Sequence, residues 1–152
     1  MYKQIFLCAL LISMASIAQA QSPIGEGGKQ INFGLGLNND GFPVYFGMDF
    51  GVHPDITVGG QIGLDLGLDY IALSGRGDYH FNTIMNIPQD WDFYAGLSLG
   101  FVAGIDNDYD SDLDLGLQIG GRYYWNSDWG VNLEFGGGNN LSGGRIGVSK
   151  RF

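Results

Sequence analysis

Several ionisable residues of this chain share one position in an alternating pattern, on the face opposite the large apolar residues. They are Asp49, Asp65, Arg76, Asp78, His80, Asp92, Asp114, Arg122, Glu134, Arg145 and Arg151, and their sequence neighbours are large apolar residues or glycine, with Lys150 before Arg151. Charges on a shared, enclosed face must be paired or solvated, because an isolated ion taken out of water is costly. The set Asp49, Asp65, Arg76, Asp78, Asp92, Asp114, Arg122, Glu134 and Arg145 is therefore expected to form an internal network of salt bridges and water. A path for a proton or a small ion is the alternative chemistry. Acyl transfer would need a Ser or Tyr nucleophile beside a histidine and an acid. Asp78 and Asp92 are plausible neighbours of His80, but no serine falls at its level, and His53 sits in a turn before Pro54. No catalytic residue is assigned. The run Asp106-Asn107-Asp108-Tyr109-Asp110-Ser111-Asp112 begins like a calcium loop. Ser111 stands where such a loop needs glycine, and Leu117 where it needs glutamate, so a solvated loop is expected and no metal site. No phosphate loop, zinc spacing or nucleotide fingerprint is present, and no cofactor is expected.

The elements that must position these residues are strands, because apolar residues recur at every second position. Strand one covers about Lys29 to Leu37, with Ile31, Phe33, Leu35 and Leu37 on one face. Strand two covers Val44 to Val52, and strand three Ile56 to about Leu66. Strand four reaches about Phe81, and strand five covers Trp91 to Ala103. Strand six covers Leu113 to Trp125, strand seven starts at Trp129, and strand eight ends at Phe152. Turn-forming clusters such as Asn38-Asn39-Asp40-Gly41 and Asn126-Ser127-Asp128 separate them. Asn82 to Asp90 is the longest connection. No window reads as a helix.

Residues 1–20 stand apart. Lys3, the apolar run Ile5 to Ile17 and the small residues Ala18-Gln19-Ala20 have the order of a cleaved secretory signal, and cleavage after Ala20 is expected. The run is too short for a spanning helix. Residues 21–28 are a Gly-rich leader, and 29–152 form one domain. Cys8 lies in the signal, so the exported chain has no disulfide. The formal charge of −9 becomes −10 without Lys3, which excludes nucleic acid as a partner.

The face opposite the apolar one is built from glycine and charge, and the chain holds 27 glycines. Eight strands enclose little room, which suits glycine, serine and paired charges; Leu, Phe and Trp suit hydrocarbon. With odd strands running outward from the periplasm, Phe33, Phe50, Phe81, Trp91, Trp125, Trp129 and Phe152 lie toward the periplasmic end. Of these, Trp91, Trp125, Trp129 and Phe152 are read as an interfacial aromatic girdle. The last strand must pair with the first, since no backbone group goes unpaired in lipid.

The stretches GRGDYHFN, DWDFYAGLSLGF and GGRYYWNSDWGVNLEFGGG, with the ending RIGVSKRF, resemble the small outer-membrane β-barrel proteins of Gram-negative bacteria, in style those of the Bacteroidetes. The resemblance covers essentially the whole exported chain and specifies no activity. It implies an all-β, eight-stranded antiparallel up-and-down transmembrane barrel in the bacterial outer membrane, expected as a monomer. Its implied partners are outer-membrane lipid and, during insertion, the barrel-assembly machinery, which in that group reads the final strand. Ile146, Val148 and Phe152 match the alternating apolar pattern of that signal; Lys150 departs from it. The function this implies is structural or interactive, with a plugged polar interior; conduction of a small polar solute or ion, and lipid modification, are the alternatives.

Overall fold

Strict alternation leaves a chain one economical solution: pair every strand so that one face is shared by all. In the computed structural model, residues 22–38, 41–105, 111–139 and 142–152 are described. Residues 1–20, expected above to be a secretory signal, and most of the acidic run (106–110) lie outside them. Eight strands follow in order: β1 (Lys29–Asn38), β2 (Pro43–His53), β3 (Ile56–Asp65), β4 (Tyr70–His80), β5 (Trp91–Gly104), β6 (Asp112–Tyr124), β7 (Trp129–Gly138) and β8 (Ser142–Arg151). Each pairs antiparallel with the next, and β8 closes on β1 from Gln30↔Arg151 to Asn38↔Gly143. The sheet has no free edge, which satisfies the ladder at both ends of the sequence. Observed and expected strand limits agree within a few residues.

Register carries parity around the ring. Ile31 lies opposite Met48, Phe46 opposite Ile62, Leu73 opposite Phe101, and Ile119 opposite Phe135. All of these side chains point outward, and the outer wall is apolar apart from Lys29 and Lys150, with Leu115, Leu117 and Leu73 among its most exposed residues. The polar parity points in. A soluble barrel has the opposite arrangement; an exposed apolar surface of this extent is stable only against an apolar medium.

The barrel has two unlike rims. One carries the first described residue, Ser22, the final residue Phe152 and the connections after β2, β4 and β6, and is here called the terminal rim. The other carries the connections after β1, β3, β5 and β7, and is the loop rim. Trp91, Trp125, Trp129 and Phe152 sit at the terminal rim, where Trp91 stacks on Phe93 with ring centroids 5.9 Å apart and touches Tyr123 at 4.7 Å. Phe33 differs from its expected place. It pairs with Phe46 and Val148 as the fifth of the ten residues of β1, and so lies at mid-height of the wall.

Two features have no counterpart in the periodicity. A single helical turn, α1 (Asn82–Met85), lies in the β4–β5 connection and ends at Asn86 in the left-handed region, with φ 52°. One turn is too short to show a 3.6-residue period. The leader is ordered as well. The Ser22 amide donates to Pro54 O at 3.3 Å, and the Gly27 amide to Gly51 O at 2.8 Å; Arg151 Nη1 reaches Pro23 O at 3.1 Å. Ser22 and Ile24 are buried. The leader thus crosses the inner mouth of the terminal rim from the β2–β3 turn toward β8. Gly51 faces inward there, and a Cβ on it would lie 1.6 Å from Gly25 O, so only glycine lets the leader pass this close.

Candidate functional site: the buried polar interior

Every charged side chain named from the alternating pattern faces the barrel interior. Arg122 is the centre of the terminal-rim half. Its Nη1 donates to Asp92 Oδ2 at 2.9 Å and its Nη2 to Asp49 Oδ2 at 3.0 Å. Its guanidinium lies over the Tyr94 ring, 4.1 Å from the centroid. A planar, multidentate cation suits such a site better than an ammonium would. Asp49 also accepts from Asn32 Nδ2 at 2.8 Å. From there a relay runs through Ser149 and Asn132 to the Tyr45 hydroxyl.

Arg76 anchors the second cluster. Its Nε donates to Asp78 Oδ2 at 2.8 Å and its Nη2 to Glu134 Oε2 at 2.6 Å. Arg145 approaches the other oxygen of Glu134 at 2.7 Å, and the Tyr94 hydroxyl donates to Glu134 at 2.8 Å. Tyr94 therefore joins the clusters, with its face against Arg122 and its hydroxyl on Glu134. The angle at Arg145 is poor for a hydrogen bond and this side chain is a quarter exposed, so that contact is the weakest of the set. Asp65 and Asp114 stand apart. Asp65 closes the loop rim by accepting the amides of Phe42 and Gly67. Asp114 lines the loop-rim vestibule, in the space a side chain at Gly138 would need.

The interior tyrosines were not singled out by sequence reasoning. Tyr45, Tyr70, Tyr94 and Tyr124 share the polar parity and are the largest buried side chains. Glycine makes room for them. Tyr94 lies opposite Gly120 and Tyr124 opposite Gly130; a Cβ on Gly120 would meet the Tyr94 hydroxyl at 2.4 Å, and one on Gly130 the Tyr124 ring at 2.8 Å. Arg151 stacks on Tyr124 at 3.9 Å, and the Tyr124 hydroxyl bonds Gln30. The available signal was a bulky residue facing glycine across an inner pair, which is visible only once register is known.

His80 does acquire a hydroxyl neighbour. Its Nδ1 contacts Asp92 Oδ1 at 2.6 Å and its Nε2 contacts Thr57 Oγ1 at 3.0 Å. The order hydroxyl–imidazole–carboxylate is that of an activated nucleophile. A nucleophile must meet substrate, however, and Thr57 is 1 % exposed and His80 fully buried. Neither lines the vestibule or the central cavity. The arrangement is a hydrogen-bonded spacer between β3, β4 and β5. Among the described residues no group of His, Cys, Asp or Glu has the arrangement to hold a metal ion.

The free space is unequal along the axis. A vestibule of about 90 Å³ opens toward the loop rim, lined by Tyr70, Gln61, Ser98 and Arg145 among others. Between the two arginine clusters lies a separate cavity of about 10 Å³. That is at the lower limit for holding one water molecule.

No protein-family model and no curated protein matches this chain. Solved structures do. A designed transmembrane β-barrel superposes with a TM-score of 0.68 at 20% identity, covering 84% of this chain and 97% of that one. The N-terminal β-barrel domain of Pseudomonas aeruginosa OprF gives 0.65 at 16%, covering 84% and 99%. The Yersinia pestis outer membrane protein Ail, solved in a phospholipid bilayer nanodisc, gives 0.55 at 14%, covering 84% and 100%. At these identities the likeness speaks to architecture alone, and on it the chain has the closed, eight-stranded, up-and-down fold of transmembrane β-barrels.

Proposed function

We infer that this protein is an integral barrel of a Gram-negative outer membrane, of the small Bacteroidetes type in sequence style. It has a plugged interior and a structural or interaction role in the envelope. The observation that carries the reading is the reversal of faces: a lipid-compatible wall outside and paired charges inside. The terminal rim with its aromatic girdle is then periplasmic, and the loop rim faces outward. The ion pairs between Arg76, Arg122 and the acids around them support a closed interior, because an ion passing the 10 Å³ cavity would have to break them. The burial of Thr57 and His80 supports a role other than catalysis.

Two measurements test this. Envelope fractionation should place the protein with the detergent-requiring outer-membrane fraction, migrating anomalously on gels until boiled; release into buffer would reject membrane integration. In planar bilayers the purified protein should give no stable conductance steps. Steps that disappear on mutation of the arginine clusters would replace the plug with a narrow conducting path.

A further inference from the structure

The outer wall carries charge at one place. Among the outward-facing strand positions, Lys29 and Lys150 are the charged residues. Both lie at the terminal rim, on the two strands that close the barrel. Lys150 faces Ile31 across the seam, and the Phe152 amide bonds Lys29 O at 2.9 Å, so the two lysines are diagonal neighbours on one face. The Lys150 ammonium lies 5.2 Å from the Trp129 ring centroid and 4.8 Å from that of Phe152. Neither lysine forms an ion pair with a carboxylate among the described residues. Asp90 and Asp128 line the shallow groove that Lys150 borders, yet the ammonium is directed onto the rings. Two lysines on adjacent strands of an otherwise apolar wall, beside an aromatic belt, supply the charge that a lipid phosphate would meet at that depth on the membrane-spanning reading.

We propose that the β1–β8 seam binds the phosphate of an anionic phospholipid of the inner leaflet between Lys29 and Lys150, with its upper acyl chain against Trp129 and Phe152. This rests on the membrane-spanning reading above. It also accounts for a lysine in the final strand where the alternating pattern asks for an apolar residue. A lysine stem covers apolar wall while its head reaches the phosphate level.

Trp129 and Trp91 make the test internal, because Trp91 lies on β5, across the barrel from the seam. The folded protein is placed in phosphatidylcholine vesicles containing a minor fraction of chain-brominated phosphatidylglycerol or, separately, chain-brominated phosphatidylcholine. Bromine quenches tryptophan on contact. Trp91→Phe/Trp125→Phe leaves Trp129 as reporter, and Trp125→Phe/Trp129→Phe leaves Trp91. Brominated phosphatidylglycerol should quench Trp129 in excess of brominated phosphatidylcholine, by a local enrichment on the order of tenfold, with no excess at Trp91. Lys29→Gln/Lys150→Gln should remove the excess and Lys150→Arg retain it, with heat-modifiable mobility unchanged in all. Equal quenching of Trp129 by the two lipids, or an excess that survives the double substitution, overturns the site. Absence of quenching at Trp91 by either lipid overturns the membrane-spanning reading itself, and with it the site.

Discussion

Arg122 shows what a single residue does in this interior. It satisfies Asp49 and Asp92, reached from two other strands, and covers the Tyr94 face. Removing one partner of a buried pair leaves the other charge uncompensated, at a cost of about 3–5 kcal/mol. Arg122→Leu should therefore lower the stability measured by urea unfolding in detergent micelles by that order while the variant still inserts. An unchanged midpoint would mean the pairs are solvated rather than buried. Arg145 is a quarter exposed and makes one ion pair, so Arg145→Leu should cost clearly less in the same measurement. Gly120 is the complementary case. Gly120→Ala forces Tyr94 off Glu134 and should destabilise by roughly 1–3 kcal/mol. Tyr94→Leu should absorb most of that cost, so a double-mutant cycle in urea should be strongly non-additive; simple additivity would separate the two residues.

At the scale of elements, the leader and the β4–β5 connection finish the terminal rim. The leader is held by main-chain bonds to the β2–β3 region and by Arg151, and it fits because residue 51 has no side chain. Gly51→Ala should lift it without opening the barrel. The expected readout is faster cleavage after Glu26 by a glutamate-specific protease, with the barrel core still resistant. Equal cleavage rates would show that the leader does not depend on this contact. The single turn Asn82–Met85 is held differently: Asn82 Nδ2 donates to Trp91 O at 2.6 Å, and Thr83 Oγ1 donates to Asp55, which ties the β4–β5 connection to the β2–β3 turn. Neither feature has periodicity to announce it. The leader depends on main-chain carbonyls of β2 and its following turn, and the helical turn on Trp91 O and the Asp55 carboxylate.

For the whole molecule, the partition of faces is the property that matters. Leu97 lies midway along β5 on the outer wall. Leu97→Arg should weaken folding into vesicles by about 2–4 kcal/mol, as a charge near the bilayer midplane does, and a loss near zero would place this wall in water. That partition was legible in the sequence, because a period of two with Leu, Ile, Phe and Trp on one parity and glycine with charge on the other admits few architectures. So were the strand limits, which turn residues mark, and the identity of the inward charges, which parity alone assigns. Distance from the strand ends already sets Asp78, Asp92 and Glu134 at the depth of Arg76, Arg122 and Arg145, and these residues do pair. Which arginine meets which acid, and that Arg122 also reaches Asp49, was not legible. Arg76 meets Glu134 across 58 positions of sequence and Arg122 meets Asp49 across 73. Strand stagger, and with it the choice of partner, is set only when β8 closes on β1. The tyrosine–glycine pairs, the hydroxyl of Thr57 beside His80 and the path of the leader have the same origin. Alternation determines which way a side chain points, whereas only the closed ring determines what it meets there.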